Sequence, residues 1–358
     1  MEDTLKQLNW QIAYAREHSS FYGYLPEKLS SLEALKSIPP ITPQDLAVNG
    51  KQMLCCSPKQ VRRMVTMQTS GTTAPPKRVA FTDGDLERTV DFFCWGMQTL
   101  CGAGDLVGIF MPGSQPDGLC DLLSRGLRQF GAVPRVYGVI QDFGEAARLC
   151  RQEKPVVLVG IPSQMRRLAL TAPQPSVKRV LLSADYISPA VRKTLERVWD
   201  CEAYEHFGMT ESGLGCAVET PQRQGMVCRE DIFLEVEDGQ ILLTTLRREA
   251  MPLIRYRTGD LGQMLPNGNL GHVRGRAEQQ EDGICITALD DVLYEIEAIQ
   301  DYQAVRTGHG LAIFVLGDTR QAKLALRAAF PEENIPVFPA SEEQMRFTGK
   351  RRIRSDCP

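Results

Sequence analysis

The arrangement of apolar runs changes character once along this 358-residue chain, and that change constrains the fold more than any other feature. From residue 105 onward, short apolar runs at 106–110, 156–160 and 180–183 alternate with helical patterns at 146–153 and 189–199. Ser188 supplies a hydroxyl to cap the second of these helices, and Pro189 takes the first helical position, where its missing N–H is not needed. Alternation of this kind builds βαβ units and a mostly parallel sheet. After about residue 225 the signal becomes antiparallel. Runs at 232–236 and 240–244 flank Asp238-Gly239, a pair that accepts positive φ at both turn positions, and Met264 and Leu270 bracket a Pro-Asn-Gly-Asn turn. Beyond Arg276 the spacing predicts a helix at 292–299, a strand at 311–316 and a second helix at 322–329, which make a small α+β unit. Near the start, Leu5, Leu8, Ile12 and Ala15 share one face of a helix, and Thr42 caps a short helix through Leu46. The length suits about two domains.

Composition removes several function classes. A formal net charge of −3 with scattered Lys and Arg gives no basic footprint for nucleic acid or an anionic membrane. No apolar run approaches the roughly 18 residues of a membrane span, and the polar first ten residues lack the core of a secretion signal, so a cytoplasmic location is expected. The eleven cysteines include no Cys-x-x-Cys pair, and His206, Cys216 and Cys228 do not make the four-ligand spacing of a zinc site. In a reducing compartment most of them read as small buried hydrophobes.

The segment Thr69-Ser70-Gly71-Thr72-Thr73-Ala74-Pro75-Pro76-Lys77 follows the apolar residues 64–67 and concentrates hydroxyls, a glycine and a lysine. Backbone N–H groups and hydroxyls on such a loop can turn toward phosphate oxygens, with the lysine adding a point charge. It is not a Walker A loop, because Lys77 follows proline and no Ser or Thr comes after it. On its own the segment reads equally well as a solvated turn. Three further segments bear on that choice. Tyr204-Glu205-His206-Phe207-Gly208-Met209-Thr210-Glu211 ends in a hydroxyl and a carboxylate, Arg255-Tyr256-Arg257-Thr258-Gly259-Asp260 joins two guanidiniums to a carboxylate, and Phe347-Thr348-Gly349-Lys350 presents a lysine beside a glycine.

With Gly275-Arg276, these segments resemble, in order and approximate spacing, the signature motifs of the AMP-forming acyl-CoA synthetase and adenylation-domain superfamily. His18-Ser19-Ser20-Phe21-Tyr22, residues 35–46, Leu182-Ser183-Ala184-Asp185 and residues 251–260 are similar to the versions found in its phenylacetate–coenzyme A ligase-like group. The likeness runs from about residue 15 to residue 354. It implies an α/β fold in two domains. Residues 1–275 would form a large N-terminal adenylation domain of mostly parallel sheets flanked by helices, with an antiparallel, barrel-like subdomain. Residues 276–358 would form a small, mobile α+β cap.

The resemblance also implies roles. Ser70, Gly71, Thr72, Thr73 and Lys77 would cradle the β- and γ-phosphates of ATP, while Ser183, Ala184 and Asp185, with His206, Phe207 and Gly208, would frame the adenine of ATP or AMP. Asp260 would accept the ribose hydroxyls, and Arg276 would contact ribose or phosphate. Glu211, helped by Thr210, would hold Mg²⁺, which prefers oxygen ligands. Lys350 would bridge a small carboxylic acid, aryl acids among them, and the α-phosphate. Coenzyme A would then take the acyl group after a swing of the cap about residues 275–278, in a monomer or homodimer. The chain departs from the family at Ala74, Arg78 and Glu278, and Ile286-Thr287-Ala288-Leu289 stands where the family carries an Arg-Gly pair. That last departure favours the first of two other readings, and the retention of Glu211, Asp260 and Lys350 argues against the second. One is an adenylating enzyme that passes the acyl group to a protein or another acceptor, and the other is a non-catalytic relative that binds the nucleotide.

Overall fold

The computed structural model describes residues 2–67, 75–173, 176–277, 283–308, 310–346, 349 and 351–355. It is α/β, with strands and helices grouped into two compact units.

One unit comprises Met1–Thr99, Gln115–Gln129 and His206–Val273. Its first helix, Glu2–His18, buries Leu8, Ile12 and Ala15 on the expected face. Thr42 and Asp45 close a reciprocal cap that starts Pro43–Asn49, satisfying two backbone donors that the helix end would otherwise orphan. Strands Arg63–Met67 and Lys77–Phe81 pair antiparallel, with Met67 opposite Lys77. A second such cap, Thr82 with Asp85, starts the helix Asp83–Gln98, which packs on Leu119–Gln129. Ile232–Glu237, Gln240–Thr245 and Tyr256–Leu261 form an antiparallel sheet in that order. Its hairpin turns through Asp238 and Gly239 at φ of 52° and 77°, as the sequence anticipates. Met264 and Leu270 likewise pair antiparallel. Arg255 is buried and bonds Glu235, Glu237 and the carbonyls of Lys36 and Ile38, so this member of the Arg-Tyr-Arg segment holds the sheet in place.

The other unit comprises Leu100–Ser114, Phe130–Glu205 and Arg274–Pro358. Its parallel strands run in the order Val133–Val136, Leu106–Phe110, Val157–Gly160, Arg179–Leu182 and the start of Glu202–Phe207. Helices Phe143–Glu153, Pro162–Thr171 and Pro189–Trp199 alternate with these strands, the first capped by Asp142 and the last by Ser188. A second sheet orders Val337–Pro339, Gly310–Gly317, Ile299–Thr307 and Arg354–Ser355. One apolar core takes in Leu168 and Leu195 from the helices of the parallel sheet and Leu289, Ile313 and Leu326 from the C-terminal segment. The helix expected at 292–299 is displaced: it spans Ile286–Leu293, and Ile299 opens a strand. Ile286, Leu289 and Leu293 supply the helical repeat, whereas a bulge between Ile299 and Asp301 interrupts the strand's alternation and hides it from a reading by period. Among the described residues no helix is long and apolar enough to cross a membrane.

Within this unit Arg351 is caged. Its guanidinium donates to Asp301 Oδ1 at 2.9 Å and Asp290 Oδ1 at 3.1 Å, and lies 5.2 and 4.5 Å from the rings of Tyr294 and Tyr302. Burial pushes the Asp290 carboxyl from its ordinary 3.8 up to about 6, although Arg351 and the Tyr302 hydroxyl pull the other way. Two carboxylates share one guanidinium, so the surplus negative charge favours a proton on the more buried of them. Between about pH 4 and 6 the folded chain therefore holds a proton that the unfolded chain has released. The stabilisation from that proton is complete at the acid end and vanishes as pH rises through about 6. Asp290→Asn should remove it. Urea unfolding of the variant and the parent at pH 4.5 and 7.5 should differ in pH dependence by at most about 3 kcal/mol, with the parent losing relative stability toward pH 7.5.

Candidate active site

Glu211 stands on the turn that follows the strand Glu202–Phe207 and is 3% exposed. Its Oε1 accepts the Lys77 ammonium at 2.7 Å and the Tyr256 hydroxyl at 2.9 Å, while the same ammonium donates to the Tyr256 oxygen at 3.4 Å. Three segments far apart in the chain thus meet at one carboxylate oxygen. Burial works against the charged form, but Lys77 and the hydrogen bonds outweigh it and hold the Glu211 carboxyl below its usual range. Tyr256 lies within a segment singled out from sequence, yet its role is missed there. Only the fold shows its hydroxyl aimed at Glu211.

The turn is built for this placement. Gly213 and Leu214 both have positive φ, at 81° and 73°, and Ser212 Oγ donates to the Met209 carbonyl at 2.8 Å. Thr89, on the helix Asp83–Gln98, donates to the Gly213 carbonyl at 2.8 Å, and buried Arg229 donates to the Ser212 and Gly215 carbonyls at 3.4 Å. Arg229 is itself held by Asp231 at 2.9 Å. Gly208 is obligatory for close approach, because a Cβ there would lie 2.0 Å from the Leu214 carbonyl oxygen. The His206 ring lies 6.1 and 6.2 Å from those of Phe92 and Phe93, and desolvation lowers its pKa to about 4. Phe207 pairs with Ala217 and is 9% exposed. Asp260, half-buried, shares a strand with Tyr256, and its backbone N–H donates to Thr258 Oγ1 at 3.1 Å.

In the other unit, Ser183, Ala184 and Asp185 follow the strand Arg179–Leu182, at the carboxyl end where open parallel sheets bind ligands. The Ser183 N–H donates to Gly160 at 3.1 Å, and Ala184 adopts φ of 81°, a conformation that costs an L-residue about 1 kcal/mol. Asp185 Oδ2 accepts from the Arg351 N–H at 3.5 Å. Arg276 follows Gly275, which has φ of 93° and could not carry a Cβ without meeting Thr287 at 2.6 Å. Ile286-Thr287-Ala288-Leu289 forms the first turn of a helix, with Ile286, Thr287 and Leu289 buried. Ser70, Gly71, Thr72, Thr73, Glu278 and Lys350 lie outside the described residues.

Among the described residues no group of three or more His, Cys, Asp or Glu could hold a metal by itself. The donors around Glu211 fit a different kind of metal site. One ionised carboxylate with a neighbouring threonine suits a magnesium ion that arrives with phosphate ligands and needs only one or two carboxylates from the protein. Cys216 is a buried free thiol, and burial pushes the Cys228 thiol up to about 11.

Residues 57–231, which include Lys77 and Glu211, match the family model described as AMP-binding enzyme. The phenylacetate-coenzyme A ligase of Aromatoleum evansii is 27% identical over 300 residues, covering 73% of this chain and 66% of that protein. That of Escherichia coli (strain K12) is 25% identical over 374 residues, covering 90% and 83%. A crystal structure of 2-hydroxyisobutyryl-CoA ligase in the postadenylation state, in complex with 2-HIB-AMP, superposes with a TM-score of 0.82. The superposition covers 100% of this chain and 89% of that one at 20% identity, a likeness of fold. The segment that carries the buried lysine–glutamate pair thus matches an AMP-binding enzyme family, and the chain is similar well beyond that segment to phenylacetate-coenzyme A ligases.

Proposed function

We propose that this chain is an AMP-forming acid–coenzyme A ligase for a small carboxylic acid, acting in the cytoplasm as a monomer or homodimer. The observation that carries the reading is the convergence of Lys77, Tyr256 and Glu211 on one buried oxygen inside an AMP-binding family segment. Lys77 offers its ammonium to the nucleotide's phosphates, alongside Ser70, Gly71, Thr72 and Thr73. Asp260 accepts from the ribose hydroxyls, Arg276 adds a charge there, and Ser183, Ala184 and Asp185 with His206, Phe207 and Gly208 frame the adenine. Magnesium held by Glu211 and Thr210 would neutralise the triphosphate. The substrate carboxylate attacks the α-phosphorus, and the bond to the pyrophosphate oxygen breaks, with Lys350 offsetting the charge that develops. No enzyme nucleophile is needed, because positioning and electrostatics suffice. In the second half-reaction the coenzyme A sulfur attacks the acyl carbon and AMP leaves, after residues 276–358 swing as a cap.

The protein should be incubated with Mg-ATP and a panel of small aliphatic and aryl carboxylic acids, with and without coenzyme A. Acid-dependent pyrophosphate release together with an acyl-coenzyme A product is expected. Release without a thioester would assign a different acceptor, and nucleotide binding with no release for any acid would sink the enzyme reading.

A further inference from the structure

We infer that Lys77 is the resident counter-ion of Glu211 and gives way there to a divalent cation, with Tyr256 retaining the carboxylate through the exchange. The inference rests on the proposed role of Glu211 as the protein's metal ligand and adds a rule for how that site is loaded.

The two partners of Glu211 are held very differently. Tyr256 is fully buried, and its strand is fixed on both sides: it lies opposite Leu243 in the antiparallel sheet and bridges to Ile41, while the backbones at Arg255 and Arg257 exchange hydrogen bonds with Ile41 at 3.1 and 2.9 Å. Its hydroxyl therefore has little freedom to leave. Lys77 reaches the same oxygen on a four-carbon stem from the first residue of its strand, and its side chain keeps 15% exposure. A long flexible stem lets an ammonium move by several ångströms without backbone motion.

Charge then decides the outcome. In a carboxylate this buried, the ammonium compensates the negative charge that burial penalises. A divalent cation on the same carboxylate would make that compensation redundant and would repel the ammonium at contact distance. The two cations compete for one anion. Displaced from Glu211, the Lys77 ammonium becomes available for the phosphates that accompany the cation, so loading the metal and arming the lysine are one event. Reciprocity requires that a cation without nucleotide bind weakly to the parent protein, because it must evict Lys77 with nothing to receive it.

The test is a titration with Mn²⁺ alone, without nucleotide or acid, reading free Mn²⁺ by its electron paramagnetic resonance signal. Lys77→Met and Lys77→Gln should each bind Mn²⁺ at least about tenfold tighter than the parent, and Lys77→Arg should bind like the parent. Adding Tyr256→Phe or Glu211→Gln to Lys77→Met should remove the gain. Unchanged or weaker Mn²⁺ binding in both neutral Lys77 variants, with circular dichroism spectra like the parent's, overturns the exchange. Failure of the underlying reading looks different: Glu211→Gln would then release pyrophosphate with an unaltered Mg²⁺ requirement.

Discussion

Lys350→Ala should lower acid-dependent pyrophosphate release by about 10² to 10³, while thiolysis of a supplied acyl-adenylate stays within the same order of magnitude as in the parent. The asymmetry follows from when the charge is needed. In the first half-reaction a carboxylate approaches a phosphate, so negative charge accumulates at the moment of bond making, and one preorganised ammonium there is worth about 2.7–4 kcal/mol. In the second, the electrophile is an acyl carbon and AMP departs, and the proposed swing of the cap takes Lys350 away. The measurement pairs steady-state pyrophosphate release with a separate assay of coenzyme A consumption from chemically prepared acyl-AMP. Equal losses in both assays would refute the role given to this lysine.

Gly208→Ala should be nearly as damaging, through geometry instead of charge. The added Cβ would lie 2.0 Å from the Leu214 carbonyl oxygen and 2.7 Å from His206 Cε1. A side chain could rotate out of the way, but a backbone oxygen cannot. Leu214 N–H is tied to the Met209 carbonyl at 2.8 Å, and Thr89 pins the next carbonyl upstream, so the whole turn carrying Thr210 and Glu211 would have to shift. A displacement of about 1 Å at a reacting constellation costs about 10²-fold in rate. Overpacking of this kind also destabilises by about 1–3 kcal/mol, which a urea midpoint would register. Full activity in the variant would mean that the turn tolerates movement, and that its rigid bracing by Arg229 and Thr89 has no bearing on Glu211.

Much of this molecule is legible from its residues, and the illegible parts have identifiable causes. The Asp238-Gly239 hairpin was readable because few residue pairs accept positive φ twice in succession, and the helix Pro189–Trp199 because its cap and first-turn proline are local signals. The parallel strands were readable as short apolar runs buried on both faces. The helix Ile286–Leu293 was misplaced because Val292, Ile296 and Ile299 carry its helical spacing on into the turn and the bulged strand that follow. At the site, Lys77 and Glu211 were each picked out by chemistry and motif, but their contact joins residues 134 apart in the chain and belongs to the fold alone. Tyr256 escaped for the same reason. A tyrosine in a strand is ordinarily a packing residue, and only the position of its hydroxyl distinguishes this one. Arg351 went unnoticed beside the more conspicuous Lys350, since nothing in the basic run of residues 350–354 says which member will be caged by carboxylates.

Arg166, on the helix Pro162–Thr171, bears on how fast the proposed cycle can run. Fully buried, it donates to the carbonyls of Ile299 and Gln300 at 2.7 and 3.4 Å and to those of Tyr294 and Ile296 at 3.0 Å. Residues 294–300 are therefore clasped to the helix Pro162–Thr171 by one guanidinium, and Leu289, Ile313 and Leu326 share an apolar core with the parallel-sheet helices. Hydrogen bonds to a charged group are worth about 1.5–3 kcal/mol each, so freeing this grip opposes several kcal/mol, and each 1.4 kcal/mol thins the released population tenfold. A ligand can draw the segment away only by binding the released form that much more tightly. In a cycle that requires the swing, unclasping, not bond chemistry, would set the pace, and the binding energy of coenzyme A would be spent first on prising Arg166 from its four carbonyls.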